Sequence, residues 1–274
     1  MRVLTISALA VGVALLVGAS PASAIDVTSL SNGIGFDTWL DGTDPLINQT
    51  RNGGSATLSN EQSLDGDGAL RLFSPSGSGK ATALYAGSSP LGKLSSLSGL
   101  NYDYYRDPSS TNPDLQVPAL RLYVSDGAGR TGTLIYEPVY NNPGSITEGS
   151  WQTVFALDGK WWLFEGGVFE NFGLKLADWV TANTFNGAGG TTKTGFGANA
   201  VILGLEVGVG SGWNGLSLAY VDNIAMSFTA NDRAQTTNWN FQAQQTEVPE
   251  PASLALLGAG LAGIYLARRR RRAD

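Results

Sequence analysis

The 274-residue sequence predicts an all-β protein, an antiparallel β-sandwich carrying one short helix and flanked by an apolar helix at each terminus. Three observations predict it. Short runs between residues 69 and 228 alternate apolar and polar side chains with a period of two, the repeat of a strand with one buried face. Between the runs fall Asn-Gly and Asp-Gly pairs, which favour turns that need positive φ. Helical periodicity, by contrast, is nearly absent. Many short strands separated by turn signals read as a sandwich or barrel.

Taken in order, the strand-like runs are Ala69 to Phe73, Ala81 to Tyr85, Ala119 to Ser125, Thr133 to Tyr136, Trp151 to Leu157, Ala200 to Val209 and Leu216 to Phe228. In the third, Leu120, Leu122 and Val124 face one way while Arg121, Tyr123 and Ser125 face the other. Leu176, Trp179 and Val180 sit at helical spacing within Leu174 to Ala182, where one or two turns are expected. Gly210 to Gly215 matches G-x-G-x-x-G, but a β pattern follows where a dinucleotide site needs a helix. The segment is therefore read as a hairpin turn. Past Phe228 the composition turns to Asn, Gln and Thr, and residues 230–247 read as a polar linker, although Trp239 and Phe241 have the character to pack back. Residues 25–229 are thus assigned to the sandwich.

Both ends carry delivery signals. Arg2, the apolar run Val3 to Val17 and the small residues Ala22-Ser23-Ala24 describe a secretory signal peptide over residues 1–24, cleaved before Ile25. At the other end Val248-Pro249-Glu250-Pro251 holds an extended segment. Residues 252–267 follow without a charge, and then come five arginines, Arg268, Arg269, Arg270, Arg271 and Arg272. Sixteen apolar residues are at the short limit for a span, which takes about 17–25; flanking arginines lengthen it by snorkelling and place the C-terminus in the cytoplasm. Pro249-Glu250-Pro251, the run Ser253 to Gly258 and the arginine cluster together resemble the PEP-CTERM sorting signal. That resemblance covers the last twenty-seven residues. It implies anchoring in the inner membrane, recognition by an exosortase, and release to the cell surface or extracellular matrix of a Gram-negative bacterium that makes exopolysaccharide, while the N-terminal signal implies cleavage by signal peptidase.

Composition excludes several function classes. Between Ile25 and Thr246 stand 11 Lys and Arg against 20 Asp and Glu, a net charge of −9, against −6 for the whole chain. So acidic a body disfavours nucleic acid and suits divalent cations or a matrix cross-linked by them. Cysteine is absent, so no disulfide staples the exported body; histidine is absent, which removes Ser-His-Asp and Cys-His nucleophiles and His/Cys zinc sites.

Two sets of residues remain as site candidates. Asp222 interrupts the apolar even positions of Leu216 to Phe228, so it must be paired, metal-bound or turned aside by a bulge. The segment Tyr220-Val221-Asp222-Asn223-Ile224 resembles the last strand of jelly-roll carbohydrate-binding modules. That likeness implies a jelly-roll sandwich and a structural calcium ion, with Asp37, Asp65 and Asp67 as further ligands beside Asp222. The second set is aromatic. Tyr102 and Tyr104 alternate with Tyr105, and the neighbours Trp161 and Trp162 point oppositely if they lie on a strand. Tyr104, Tyr105, Trp161 and Trp162 are candidate sugar platforms, with core packing as the competing role. Glu165 and Glu170 are the nearest approach to a glycosidase pair, and nothing favours them over solvated loop acids. The expectation is a non-catalytic, matrix-associated protein with a glycan-binding face; a ligand-free surface protein and a carbohydrate-active enzyme are the alternatives.

Overall fold

A computed structural model describes residues 24–43, 49–141, 144, 146–186, 192–231 and 233–243. The expected signal peptide up to Ser23, including Ala22 of its cleavage site, lies outside the described residues, as do Val248 to Pro251, the apolar span 252–267 and the arginine cluster. Among the described residues no helix is long and apolar enough to cross a membrane.

The chain forms β1 (Ile25–Val27), β2 (Thr38–Leu40), β3 (Ser55–Ser59), β4 (Ala69–Ser74), β5 (Lys80–Ala86), β6 (Gly92–Lys93), β7 (Leu97–Arg106), β8 (Ala119–Ser125) and β9 (Thr131–Tyr136). There follow β10 (Trp151–Phe155), β11 (Lys160–Glu165), β12 (Val168–Lys175), the single-turn helix α1 (Leu176–Trp179), β13 (Thr184–Asn186), β14 (Thr192–Thr194), β15 (Val201–Gly210), β16 (Ser217–Ala230) and β17 (Arg233–Phe241). The first sheet is built on β16. One of its edges pairs with β7, which pairs in turn with β10. The other edge pairs first with β4 and then with β17, which carry β3 and β1. The second sheet runs β12-β11-β9-β8-β15-β5-β2, with β6 beside β15. Pairing in both is antiparallel except between β1 and β17.

Consecutive strands repeatedly change sheet: β4 to β5, β7 to β8, β10 to β11 and β15 to β16. This wiring stacks the two sheets face to face, as a sandwich requires. Their inner faces meet in one core that joins Leu120, Leu122, Val124, Leu205, Val207 and Val209 of the second sheet to Leu100, Tyr102, Val221, Ile224 and Met226 of the first.

Three sequence readings are corrected. Residues 233–241 are a strand rather than linker: β17 zips onto β16 from Ile224↔Trp239 to Ala230↔Arg233 and buries Trp239, Asn240 and Phe241. Local polarity misleads there because the Arg233 half is exposed while the Phe241 half closes the core. Gly210 to Gly215 does not turn a hairpin, since β15 and β16 lie in different sheets; it arches between them with Trp213 buried beneath. Asp222 does not sit on the core face of β16. The register against β7 gains one residue between Asp222 and Ala225, and Asn223 adopts φ 49°, a bulge that moves the inward set from Ala219 and Val221 to Ile224 and Met226.

Candidate functional site

The outer face of the second sheet carries a groove whose floor follows from strand register. Glu206 of β15 pairs with Arg121 of β8, Arg121 with Ile135 of β9, and Ile135 with Trp162 of β11. The next row holds Tyr123, Thr133 and Phe164. Four strands about 4.8 Å apart set Glu206 and Trp162 roughly 14 Å from each other. The inward residues of these strands are the core aliphatics, so alternation alone directs the polar and aromatic side chains outward.

Lys80, Arg51, Gln49, Glu137 and Ser211 complete the walls around about 360 Å³ of free space, a volume within the range of small-ligand sites. Glycine lets neighbouring strands and the Arg121 side chain pack close against β15. A Cβ on Gly208 would run into the Thr82 side chain and stand 3.1 Å from Arg121 Nη1.

Charge in the groove is organised by Glu206, which is wholly buried. It accepts hydrogen bonds from Arg121 Nη1 at 2.9 Å and from the Tyr123 hydroxyl, and lies 3.3 Å from Lys80 Nζ. Burial raises the Glu206 carboxyl, but Arg121 and Lys80 together outweigh it and leave it below its ordinary value. Burial also lowers Lys80, to about 8, with repulsion from Arg121 adding to the fall and Glu206 opposing it. Tyr123 is pushed far up, first by burial and then by the Glu206 charge. Glu137 is raised, again by burial first, while Arg121 and hydrogen bonds from Trp162 and Trp213 hold it down. The groove thus presents aromatic rings beside fixed hydrogen-bonding groups, the combination that suits a ligand with both apolar faces and hydroxyls.

Of the four expected sugar platforms, Trp162 alone lines this groove. Trp161 is fully buried, donates its indole N–H to the Ala156 carbonyl at 3.0 Å and packs on Tyr136. Tyr104 is 2% exposed and belongs to the core. Tyr105 lies on the outer face of the other sheet, wedged between Trp151 and Tyr220. Both buried rings answer to the competing role weighed for them. Arg121, Tyr123, Glu206, Lys80 and Glu137 went unassigned in the sequence. The alternation of β8 already set Arg121 and Tyr123 on one face, and Glu206 stands as one acid among the glycines of β15.

The four expected calcium ligands do not converge. Asp222 is buried, and its oxygens accept the backbone N–H groups of Asn223 at 2.8 Å, Phe241 at 2.9 Å and Asp65 at 3.4 Å. It caps the bulge of β16 and ties β17 to the Asp65 turn. Burial lifts its carboxyl to about 6 against these three donors. Asp37, at φ 58°, accepts the N–H and hydroxyl of Ser88 beside the second sheet. Asp67 stands by Gln242, whose side chain accepts the Asp67 N–H at 2.7 Å. Among the described residues no group of three or more Asp, Glu, His or Cys could hold a metal ion. Glu165 is occupied by Arg130 at 2.6 Å and Lys193 at 3.0 Å.

Two larger hollows are shallower. One lies between Asp26, Gly66, Asp67 and Asn240, the other along β3 from Ala56 to Glu61, and neither is lined by an aromatic ring.

Residues 247–272 match the PEP-CTERM protein-sorting motif. No curated protein sequence matches the chain. Among solved structures, a family 11 carbohydrate-binding module from Clostridium thermocellum, in complex with a β-1,3-1,4-mixed-linked tetrasaccharide, is similar at 13% identity and a TM-score of 0.35. The likeness covers 69% of this chain and 88% of that one. The two-sheet assignment rests on the strand pairing described above.

Proposed function

We propose that this chain is a non-catalytic glycan-binding protein that works through the groove on its second sheet, on a sandwich of jelly-roll type. The PEP-CTERM motif marks it as an exported, sorted surface protein and implies processing by an exosortase. What the body does there is read from its groove. The observation that carries the reading is the cluster of Trp162, Phe164 and Tyr123, outward in one groove beside Arg121, Lys80 and Glu137. Rings offer flat apolar surface to the C–H faces of a sugar, and charged groups with positions fixed by a buried network hydrogen-bond its hydroxyls.

Binding, rather than turnover, is supported by the state of the carboxylates. The two-carboxylate route to glycoside hydrolysis needs both groups at the scissile bond. Glu206 is committed to Arg121, Lys80 and Tyr123 beneath the surface, which leaves Glu137 as the carboxyl in the groove wall. After release from the membrane, such a protein would bind polysaccharide of the surrounding matrix.

Affinity electrophoresis of the protein through gels containing soluble polysaccharides tests the reading. Retardation by at least one glycan, lost in Trp162→Ala, is expected. Equal retardation of wild type and variant would reject the groove as the site.

A further inference from the structure

We infer that the groove selects an anionic sugar, a glycan carrying carboxylates such as a uronic-acid polymer; this rests on the glycan-binding reading above. The exported body is strongly acidic, with 11 basic against 20 acidic side chains from Ile25 to Thr246. Within it Arg51, Lys80 and Arg121 converge on one groove. Glu206 serves two of these cations at once, Arg121 at 2.9 Å and Lys80 at 3.3 Å, and is itself sealed from solvent. The second carboxyl, Glu137, is buried under the indoles of Trp162 and Trp213.

Arg51 is the cation left over. Its Nη2 donates to the Ser211 hydroxyl at 3.0 Å on the groove wall, and among the described residues it has no carboxylate within ion-pair distance. Arg71, Arg106 and Arg130, in contrast, each stand within ion-pair distance of a carboxylate, on Glu61, Glu148 and Glu165 respectively. A solvent-accessible guanidinium on the wall of a groove with two further cations is a position where a carboxylate ligand would find an unshared positive charge. Its planar fork matches a carboxylate in two parallel hydrogen bonds, a fit that a neutral hydroxyl does not reproduce. Burial first, then repulsion from Arg121 and more weakly from Arg51, depresses the Lys80 ammonium against the pull of Glu206. An acidic polymer is repelled by the net charge of this body, so the groove would also set where on the protein the polymer docks.

The test compares three soluble probes with the full chain in a polyoxyethylene detergent, by titration calorimetry. These are polygalacturonate, the same polymer fully methyl-esterified, and neutral hydroxyethylcellulose. Polygalacturonate is expected to bind at least about tenfold more tightly than its ester, with an affinity that falls as salt is raised. Arg51→Gln should remove on the order of tenfold of that affinity and weaken the ester by much less; Arg51→Lys, which keeps the charge without the fork, should fall between. Unchanged melting temperatures in both variants keep the comparison free of folding effects. Equal affinity for the acid and its ester, preference for hydroxyethylcellulose, or an Arg51→Gln variant that binds polygalacturonate like wild type would overturn the inference while leaving glycan binding in place. Binding of none of the three would count against both.

Discussion

Replacing Glu206 by Gln keeps the volume of the side chain and removes one buried negative charge. In the native groove that charge accepts from Arg121 at 2.9 Å and the Tyr123 hydroxyl, and faces Lys80 at 3.3 Å, with no exposure to solvent. Removing one partner from a buried ion pair costs about 3–5 kcal/mol, because the opposite charge stays buried without compensation. Here two cations are left, and Arg51 stands close enough to repel Lys80 as well. The lower figure is the better guide, since Lys80 has an escape. Its folded pKa is already about 8, so it sheds its proton readily once Glu206 no longer attracts it. A loss of about 3 kcal/mol should lower the melting temperature of a body this size by roughly 6–12 °C.

The escape also fixes the pH dependence. Lys80 has a folded pKa below its ordinary 10.5, so the unfolded chain binds more protons across that interval and stability rises with pH. In wild type the rise begins near pH 8. In Glu206→Gln the folded pKa drops further and the rise begins earlier. The gap between the two proteins should therefore narrow as pH rises towards about 8, by up to roughly 1.4 kcal/mol per pH unit, and stay constant above that. Urea unfolding followed by tryptophan fluorescence measures both quantities. A variant as stable as wild type, or a gap that ignores pH, would refute the view that Glu206 holds the groove's cations together.

Two further outcomes follow from the geometry. Trp161→Ala should cost about 3–5 kcal/mol, because a wholly buried ring with a satisfied indole N–H is replaced by a cavity. Trp162→Ala, next to it but facing the groove, should cost only about 1 kcal/mol; chemical denaturation separates the two. Asp222, with a folded pKa near 6 against 3.8 unfolded, binds its proton more tightly in the folded state, so its contribution to stability grows as pH falls from about 6 to 3.8. The stability difference between wild type and Asp222→Asn should shift in favour of wild type by roughly 3 kcal/mol over that range, and a difference flat with pH would contradict the assignment.

The strands legible in the sequence are those whose alternation is settled locally. Ala119 to Ser125 is β8 to the residue, because its apolar set faces the core along its whole length. β17 was illegible for the opposite reason: its polar residues are held in a ladder by β16, so pairing outweighs composition. Asp222 betrayed the bulge in β16 by interrupting the even-numbered apolar pattern, but the switch of inner face to Ala219 and Val221 before it could not be read locally. The groove was half legible. Alternation placed Arg121 and Tyr123 together and set the two adjacent tryptophans on opposite faces, but the partners of Glu206 come from strands 83 or more residues away. Such contacts exist only once the sheet order is known, and the order β9-β8-β15-β5 leaves no local trace.

The central claim is that a glycan occupies the groove of the second sheet, and the indole N–H resonances of the seven tryptophans test it most directly. On addition of a glycan that retards the protein, the account predicts a shift of the Trp162 signal, with the buried Trp161 and Trp39 signals unmoved. A shift confined to Trp151, on the outer face of the opposite sheet, or no indole shift at saturation, would contradict it.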